Sequence, residues 1–216
     1  MRFLVTAGPT HEPIDAVRFI GNRSSGRMGI AIARAALAAG HDVGLCLGPV
    51  CEPPPQGATT ERFRTAEDLR GMLARLAPRF DIIVMAAAVA DFRPASASPD
   101  QKIERGESLQ ITLVPTPDLI AELAANRRPG QLIVGFALEE SARLEERSRA
   151  KLLRKGLDAI VANPLLTMDA ATIDGQLIIA DGRVLRPSAS RSIDKSEFAA
   201  WLVTQLIELH ATNRSR

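Results

Sequence analysis

The run Asp81-Ile82-Ile83-Val84-Met85-Ala86-Ala87-Ala88 is apolar on both of its alternating faces. A half-exposed strand alternates apolar with polar residues. One that is apolar throughout has to be covered on both sides, as happens when helices pack on the two faces of a mostly parallel sheet. The rest of the chain supplies the missing layers. β-rich runs at residues 3–7, 43–47 and 82–87 alternate with helical patterns over 27–39 and 66–77, the spacing of βαβ units. Further along, residues 109–114 read as a strand, followed by a helix after Pro117, a strand at 132–137, a charged helix over 141–155 and a strand at 157–162. Runs at 176–180 and 184–185 flank Asp181-Gly182, a hairpin signal, and a last helix is expected near 194–210. The fold class is therefore α/β: a doubly wound, mostly parallel sheet with helices on both faces and a small C-terminal hairpin. No repeat or low-complexity linker interrupts it, and Pro53-Pro54-Pro55 is too short to separate domains, so residues 1–216 read as a single domain.

Composition excludes several classes. No apolar run approaches the roughly 18 residues of a membrane span, and the N-terminus enters a strand without the regions of a secretory signal. A cytoplasmic protein without a membrane partner is expected. Cys46 and Cys51 form neither a zinc pattern nor a disulfide framework, and read as a buried strand thiol and a loop thiol. Aromatics are 4% with no tyrosine, too few for nucleic-acid stacking, while a net charge of +2 reflects arginines better suited to small phosphorylated ligands. His11, His41 and His210 are scattered and read as surface residues.

The candidate chemistry lies where strands end. Arg18 to Gly29 joins the first strand to an alanine-rich helix, with Ser24 and Gly26 able to bring backbone N–H groups close to an anion. Arg18, Arg23 and Arg27 add charge there, and the Asn22 amide can orient a carbonyl or acyl-phosphate oxygen. A simple turn with an N-cap fits the same residues equally well. Gly8 and Thr10 follow the first strand and could expose an N–H and a hydroxyl, or merely form a tight turn. Asp91 follows the central strand, where a carboxylate can take a ribose hydroxyl, a base amine or Mg²⁺, or cap a turn. The irregular stretch 91–107 carries Lys102, which could stabilise developing phosphoryl charge, although a loop lysine is more often solvated. Lys151 and Lys155 share one helix face, which could equally be a solvated charged face. No G-x-G-x-x-G follows the first strand, and there is no Walker lysine motif or G-x-S-x-G elbow, which argues against a standard NAD enzyme, a P-loop NTPase and an α/β-hydrolase.

The motifs Val5 to Ile20, Asn22 to Gly29, Ala86-Ala87-Ala88-Val89-Ala90-Asp91-Phe92-Arg93, Val134-Gly135-Phe136-Ala137 and Lys151 to Asp158, in this order, span essentially the entire chain. Together they resemble the phosphopantothenoylcysteine synthetases, the phosphopantothenate–cysteine ligases of coenzyme A biosynthesis. The resemblance implies a Rossmann-like homodimer that uses Mg²⁺ and a nucleoside triphosphate, CTP in the bacterial type and ATP in the eukaryotic one. The substrates implied are 4′-phosphopantothenate and L-cysteine, and no flavin. It also implies that Asn22 and Arg18 handle an acyl-nucleotidylate and that Lys102 helps form it. Ala87, Asp91, Phe136, Lys151 and Lys155 fall on nucleotide-binding positions, and Gly8, Thr10, Ser24 and Gly26 shape the binding surface. Two departures stand out. The family's Lys-Ile-Lys-Lys loop reads Lys102-Ile103-Glu104-Arg105 here, so Glu104 is expected to point outward. Pro164 replaces the aspartate usual after Ala162-Asn163. No flavin decarboxylase half lies within residues 1–216, so a separate phosphopantothenoylcysteine decarboxylase chain is expected unless these residues are cut from a longer protein, and the Met1 start favours the separate chain. A Rossmann-type oxidoreductase or a non-catalytic nucleotide-binding module would be the competing functions.

Overall fold

Eight strands build the central sheet of the computed structural model, which describes residues 1–97, 99–106, 108–165, 170–187 and 192–214. From edge to edge they run Val184–Leu185, Gln176–Ile179, Ala159–Pro164, Leu132–Glu139, Ile82–Met85, Arg2–Ala7, Asp42–Leu47 and Thr59–Arg62. The last six are mutually parallel, and the first two add an antiparallel edge. Numbered in chain order, the parallel strands lie 3-2-1-4-5-6, so the winding reverses between Arg2–Ala7 and Ile82–Met85. A crevice opens at the carboxyl ends of strands at such a reversal.

Strand periodicity sorts the core into two layers. Phe3, Val5, Ala7, Ile82 and Val84 face α1 (Arg27–Ala38) and Phe198, Leu202 and Leu206 of α5 (Lys195–Arg214). Leu4, Ile83 and Met85 face the other side, with Leu69 and Leu73 of α2 (Ala66–Leu76), Leu119 and Leu123 of α3 (Leu119–Ala125), and Leu152 of α4 (Leu144–Arg154). The central run is thus covered on both faces, as its composition requires. Cys46 is buried in the sheet, which pushes its thiol up to about 12, while Cys51 is exposed. Among the described residues, no helix is long and apolar enough to cross a membrane.

Several boundaries differ from expectation. The central strand stops at Met85, because Ala86 N–H turns back to Val84 O at 3.2 Å. The strand expected at 157–162 runs Ala159–Pro164, since Gly156 in a left-handed conformation (φ 64°) and Leu157 still finish the preceding helix. Of 109–114 only Leu113–Pro115 is a strand, paired with Phe92–Pro94, because Leu109 and Ile111 find no core to face and remain exposed. The edge strand Thr59–Arg62 and the hairpin His11–Pro13/Phe19–Gly21 were not expected; both are short and only partly buried, so neither carries an apolar period. The Asp181-Gly182 hairpin is present as the antiparallel edge of the main sheet.

Candidate functional site

Two hydroxyls set the floor of the crevice. Thr6 Oγ1 accepts the Ala87 N–H and Thr10 Oγ1 the Ala90 N–H, each at 3.0 Å, while Ala88 N–H donates to Gly8 O at 2.9 Å. These bonds pin the segment after the central strand against the turn after the first. Gly8 and Thr10 are buried, so they support the cleft from below and do not line it; the expectation of an exposed Thr10 hydroxyl fails because Ala90 engages it.

The N-terminus of α1 closes one side. Gly26 is its N-cap with φ 74°, no side chain caps it, and no acidic residue lies in its first turn. A Cβ on Gly26 would come within 3.0 Å of Val50 Cγ1 and 3.3 Å of Gly8 N, so glycine at both places lets helix and strand-end turn meet. Gly29, one turn on, packs the helix directly on the first strand: a Cβ there would lie 2.5 Å from Ala7 Cβ. Gly8, Gly26 and Gly29 thus let the strand-end turn and the start of α1 pack closely although they are not contiguous in sequence. The Asn22 amide braces the loop, its Nδ2 donating to Ala88 O (3.2 Å) and Val89 O (2.9 Å).

Between these elements lies a cleft of about 560 Å³. Asn22, Ser24, Gly26, Ala87, Asp91, Phe136 and Lys151 all line it, joined by Arg23, Arg27, Asn163, Ile173 and Lys195. Among the described lining residues four are cations, Arg23, Arg27, Lys151 and Lys195, and one is a carboxylate, Asp91; Arg27 also lies 3.9 Å from Glu52 outside the cleft. Lys151 pairs with the buried carboxylate of Glu139, which Arg147 also approaches at 3.3 Å. Burial of Glu139 favours its neutral form, but the two cations outweigh that and hold it below the ordinary carboxylate range. Lys195 went unnoticed in the sequence, and Asn163 entered it only as the neighbour of Pro164. Lys195 reaches the cleft because Thr172–Ile173 pairs with Ile193–Asp194 and its own N–H donates to Ala171 O, folding the start of α5 over the strand ends. A lysine opening a remote helix carries no local signal.

The remaining candidates lie elsewhere. Arg18 and Lys102 line a second pocket together with Glu104 and Arg105. Glu104 is exposed, borders the same pocket as Lys102, and is not among the residues of the main cleft. Lys155 is not among the cleft residues; its Nζ lies 3.0 Å from Asp118 Oδ2, the N-cap of α3, so the two lysines of α4 diverge at the helix end. His210 is buried, not on the surface as read from sequence. Among the described residues, no group of three or more His, Cys, Asp or Glu side chains could hold a metal by itself.

Residues 1–209 match the family described as the DNA/pantothenate metabolism flavoprotein C-terminal domain. A cysteine/cysteine sulfinic acid decarboxylase from an unknown prokaryotic organism is 48% identical over 166 residues, covering 76% of this chain and 46% of that protein. The coenzyme A biosynthesis bifunctional protein CoaBC of Mycobacterium tuberculosis (strain ATCC 25618 / H37Rv) is 42% identical over 195 residues, covering 84% of this chain and 46% of the relative. The chain therefore spans about half the length of these curated relatives. Among solved structures, the crystal structure of the C-terminal domain of a coenzyme A biosynthesis bifunctional protein CoaBC aligns with a TM-score of 0.81 at 32% identity, covering 100% of this chain and 96% of that one.

Proposed function

Because this chain belongs to the DNA/pantothenate metabolism flavoprotein C-terminal domain family, we propose that it is a ligase joining 4′-phosphopantothenate to L-cysteine at the expense of CTP. The carboxylate oxygen of phosphopantothenate attacks the α-phosphorus of CTP, the bond to pyrophosphate breaks, and an acyl-cytidylate remains. Cysteine's amine then attacks the acyl carbon, CMP leaves, and the amine proton passes to solvent. Neither step transfers electrons, so a flavin has no part in the chemistry.

The cation-lined cleft at the winding reversal carries this reading. The uncapped first turn of α1, with Arg23, Arg27, Lys151 and Lys195, would neutralise the triphosphate. Phe136 and Ala87 would border the base, and Ser24 and Gly26 the phosphates. Asp91 suits Mg²⁺, an ion that takes one or two carboxylates together with nucleotide phosphates; when bound it would supply further charge neutralisation. Asn22 braces the wall facing the acyl group, and Arg18 with Lys102 would act on the reacting carboxylate and α-phosphate from the adjoining pocket. Lys155, tied to Asp118, has only an indirect part. Residues 1–216 would act as one ligase domain and as a homodimer. The hairpins His11–Pro13/Phe19–Gly21 and Phe92–Pro94/Leu113–Pro115 touch, leaving Phe19, Phe92 and Leu113 exposed as apolar surface for a second copy. A phosphopantothenoylcysteine decarboxylase activity would consume the product.

Pyrophosphate release with Mg²⁺, phosphopantothenate and cysteine, with CTP or ATP and with each component omitted in turn, tests the reading. Release that requires phosphopantothenate and is faster with CTP is expected. Nucleotide binding without turnover would make this a binding module, and hydride transfer from a nicotinamide cofactor an oxidoreductase. Carbon dioxide released from cysteine sulfinic acid without CTP would move the reading to the activity named for the longer relative.

A further inference from the structure

Lys102 sits in a segment, 99–106, that contains no helix or strand, so its position has to come from side-chain ties. Those ties converge on Asp15, which is 1% exposed and lies within the Val5 to Ile20 motif without a role of its own assigned there. Its two oxygens divide their partners. Oδ1 accepts the N–H groups of Val17 (2.8 Å) and Arg18 (2.6 Å), closing the turn between His11–Pro13 and Phe19–Gly21. Oδ2 accepts Arg18 Nη1 at 2.6 Å and the Ile103 N–H at 3.1 Å. Around this knot, Arg18 Nη1 reaches Ile103 O at 3.4 Å and Ala16 N–H donates to Gln101 O at 3.2 Å. Both neighbours of Lys102 in sequence are thereby bound to the Arg18 turn.

We propose that Asp15 is a positioning residue for the ligation: by binding the Arg18 guanidinium and the Ile103 amide through one oxygen, it holds Lys102 beside Arg18 at the reacting groups. This rests on the ligase reading above, and Asp15 itself touches no substrate. The role calls for a carboxylate. Burial disfavours its charge, but three backbone N–H groups and Arg18 outweigh burial and keep the carboxyl below its ordinary range, so it is ionised near neutrality. An amide has the same shape with only one accepting end. In Asp15→Asn the remaining oxygen can keep the Val17 and Arg18 N–H groups, whereas Nδ2 then opposes two donors, Arg18 Nη1 and Ile103 N–H. The turn survives and the loop is cut free.

Amide hydrogen exchange on the full chain without substrates reads the tie directly. Asp15→Asn should speed exchange at Ile103 by roughly 10-fold or more and hasten tryptic cleavage after Lys102 and Arg105, with the amides of Ile82–Met85 unchanged. With Mg²⁺, CTP, phosphopantothenate and cysteine, kcat should fall roughly 10- to 100-fold, the scale of misplacing one reacting group. The KM for CTP should stay within about twofold, since Asp15 is not among the cleft residues. Should Asp15→Asn fail to fold, Ile103→Pro removes the same N–H from the loop side and should reproduce the faster cleavage and the loss of kcat. Unchanged exchange at Ile103, or faster exchange with undiminished turnover, overturns the proposal. Wild-type protein that releases no pyrophosphate would sink the ligase reading instead, while the exchange result would still decide whether Asp15 holds the loop.

Discussion

Asn22 directs Nδ2 at the carbonyls of Ala88 and Val89, so its amide is part of the cleft wall, whatever it does for the acyl group of the proposed intermediate. Asn22→Asp replaces that donor with a carboxylate oxygen against two carbonyl oxygens. Losing two bonds of about 1 kcal/mol each at a partly solvated site should weaken CTP binding roughly 10-fold, measured by titration with Mg²⁺ and CTP. Unchanged affinity would confine the amide to the second chemical step, where the acyl-cytidylate should then accumulate. Lys102 fails differently. It is an exposed loop cation, so Lys102→Ala should leave the unfolding midpoint unchanged while turnover falls roughly 100-fold or more, the scale for deleting one electrostatic group at developing charge. Near-normal pyrophosphate release would transfer the role to Arg105, which shares its pocket.

At the scale of elements, one substitution should have opposite signs on two helices. Gly29→Ala in α1 puts a Cβ 2.5 Å from Ala7 Cβ and 2.8 Å from Thr6 O, so the helix has to lift from the sheet. Overpacking of this kind costs about 1–3 kcal/mol, and it would also shift the N–H groups that face the cleft. Gly71 lies mid-helix in α2, exposed, with nothing within 4 Å of an added Cβ. Gly71→Ala should therefore stabilise by about 0.5–1 kcal/mol through the loss of backbone freedom in the unfolded chain. Urea unfolding of both variants checks the pair; equal midpoints would mean that α1 sits less tightly on its strand than these distances require.

For the whole molecule, Asp81 joins three parallel strands at the end of the sheet opposite the cleft. It accepts from Arg2 N–H at 2.9 Å and Arg2 Nη2 at 3.3 Å, and from Arg128 Nη2 at 2.9 Å, while its own carbonyl takes the Leu132 N–H. Burial favours its neutral form, yet these donors lower its pKa from 3.8 to about 2. A lowered carboxyl pKa stabilises the fold above the unfolded-state value and ceases to do so as pH falls through the folded-state value. The stability gap between wild type and Asp81→Asn should thus be full above pH 3.8 and shrink towards pH 2, as read from urea midpoints along a pH series. A gap independent of pH would show that the carboxylate is not held by these donors. The doubly wound sheet itself was legible, because the all-apolar run at 81–88 and the periods of α1, α2 and α4 are local properties that need no knowledge of a partner. Asn22 to Gly29 was legible for the same reason, being one contiguous strand-to-helix connection. Thr59–Arg62, the hairpin His11–Pro13/Phe19–Gly21 and the strand Phe92–Pro94 were not, since half-exposed strands are defined by the strand they pair with. Tertiary structure alone decided that Gly8 meets Gly26, that Lys195 enters the cleft while Lys155 turns to Asp118, and that Asp15 grips Ile103. Each of these is a juxtaposition of chain segments distant in sequence or of side chains that leave one helix in different directions, and strand order and packing, not local pattern, determine such meetings.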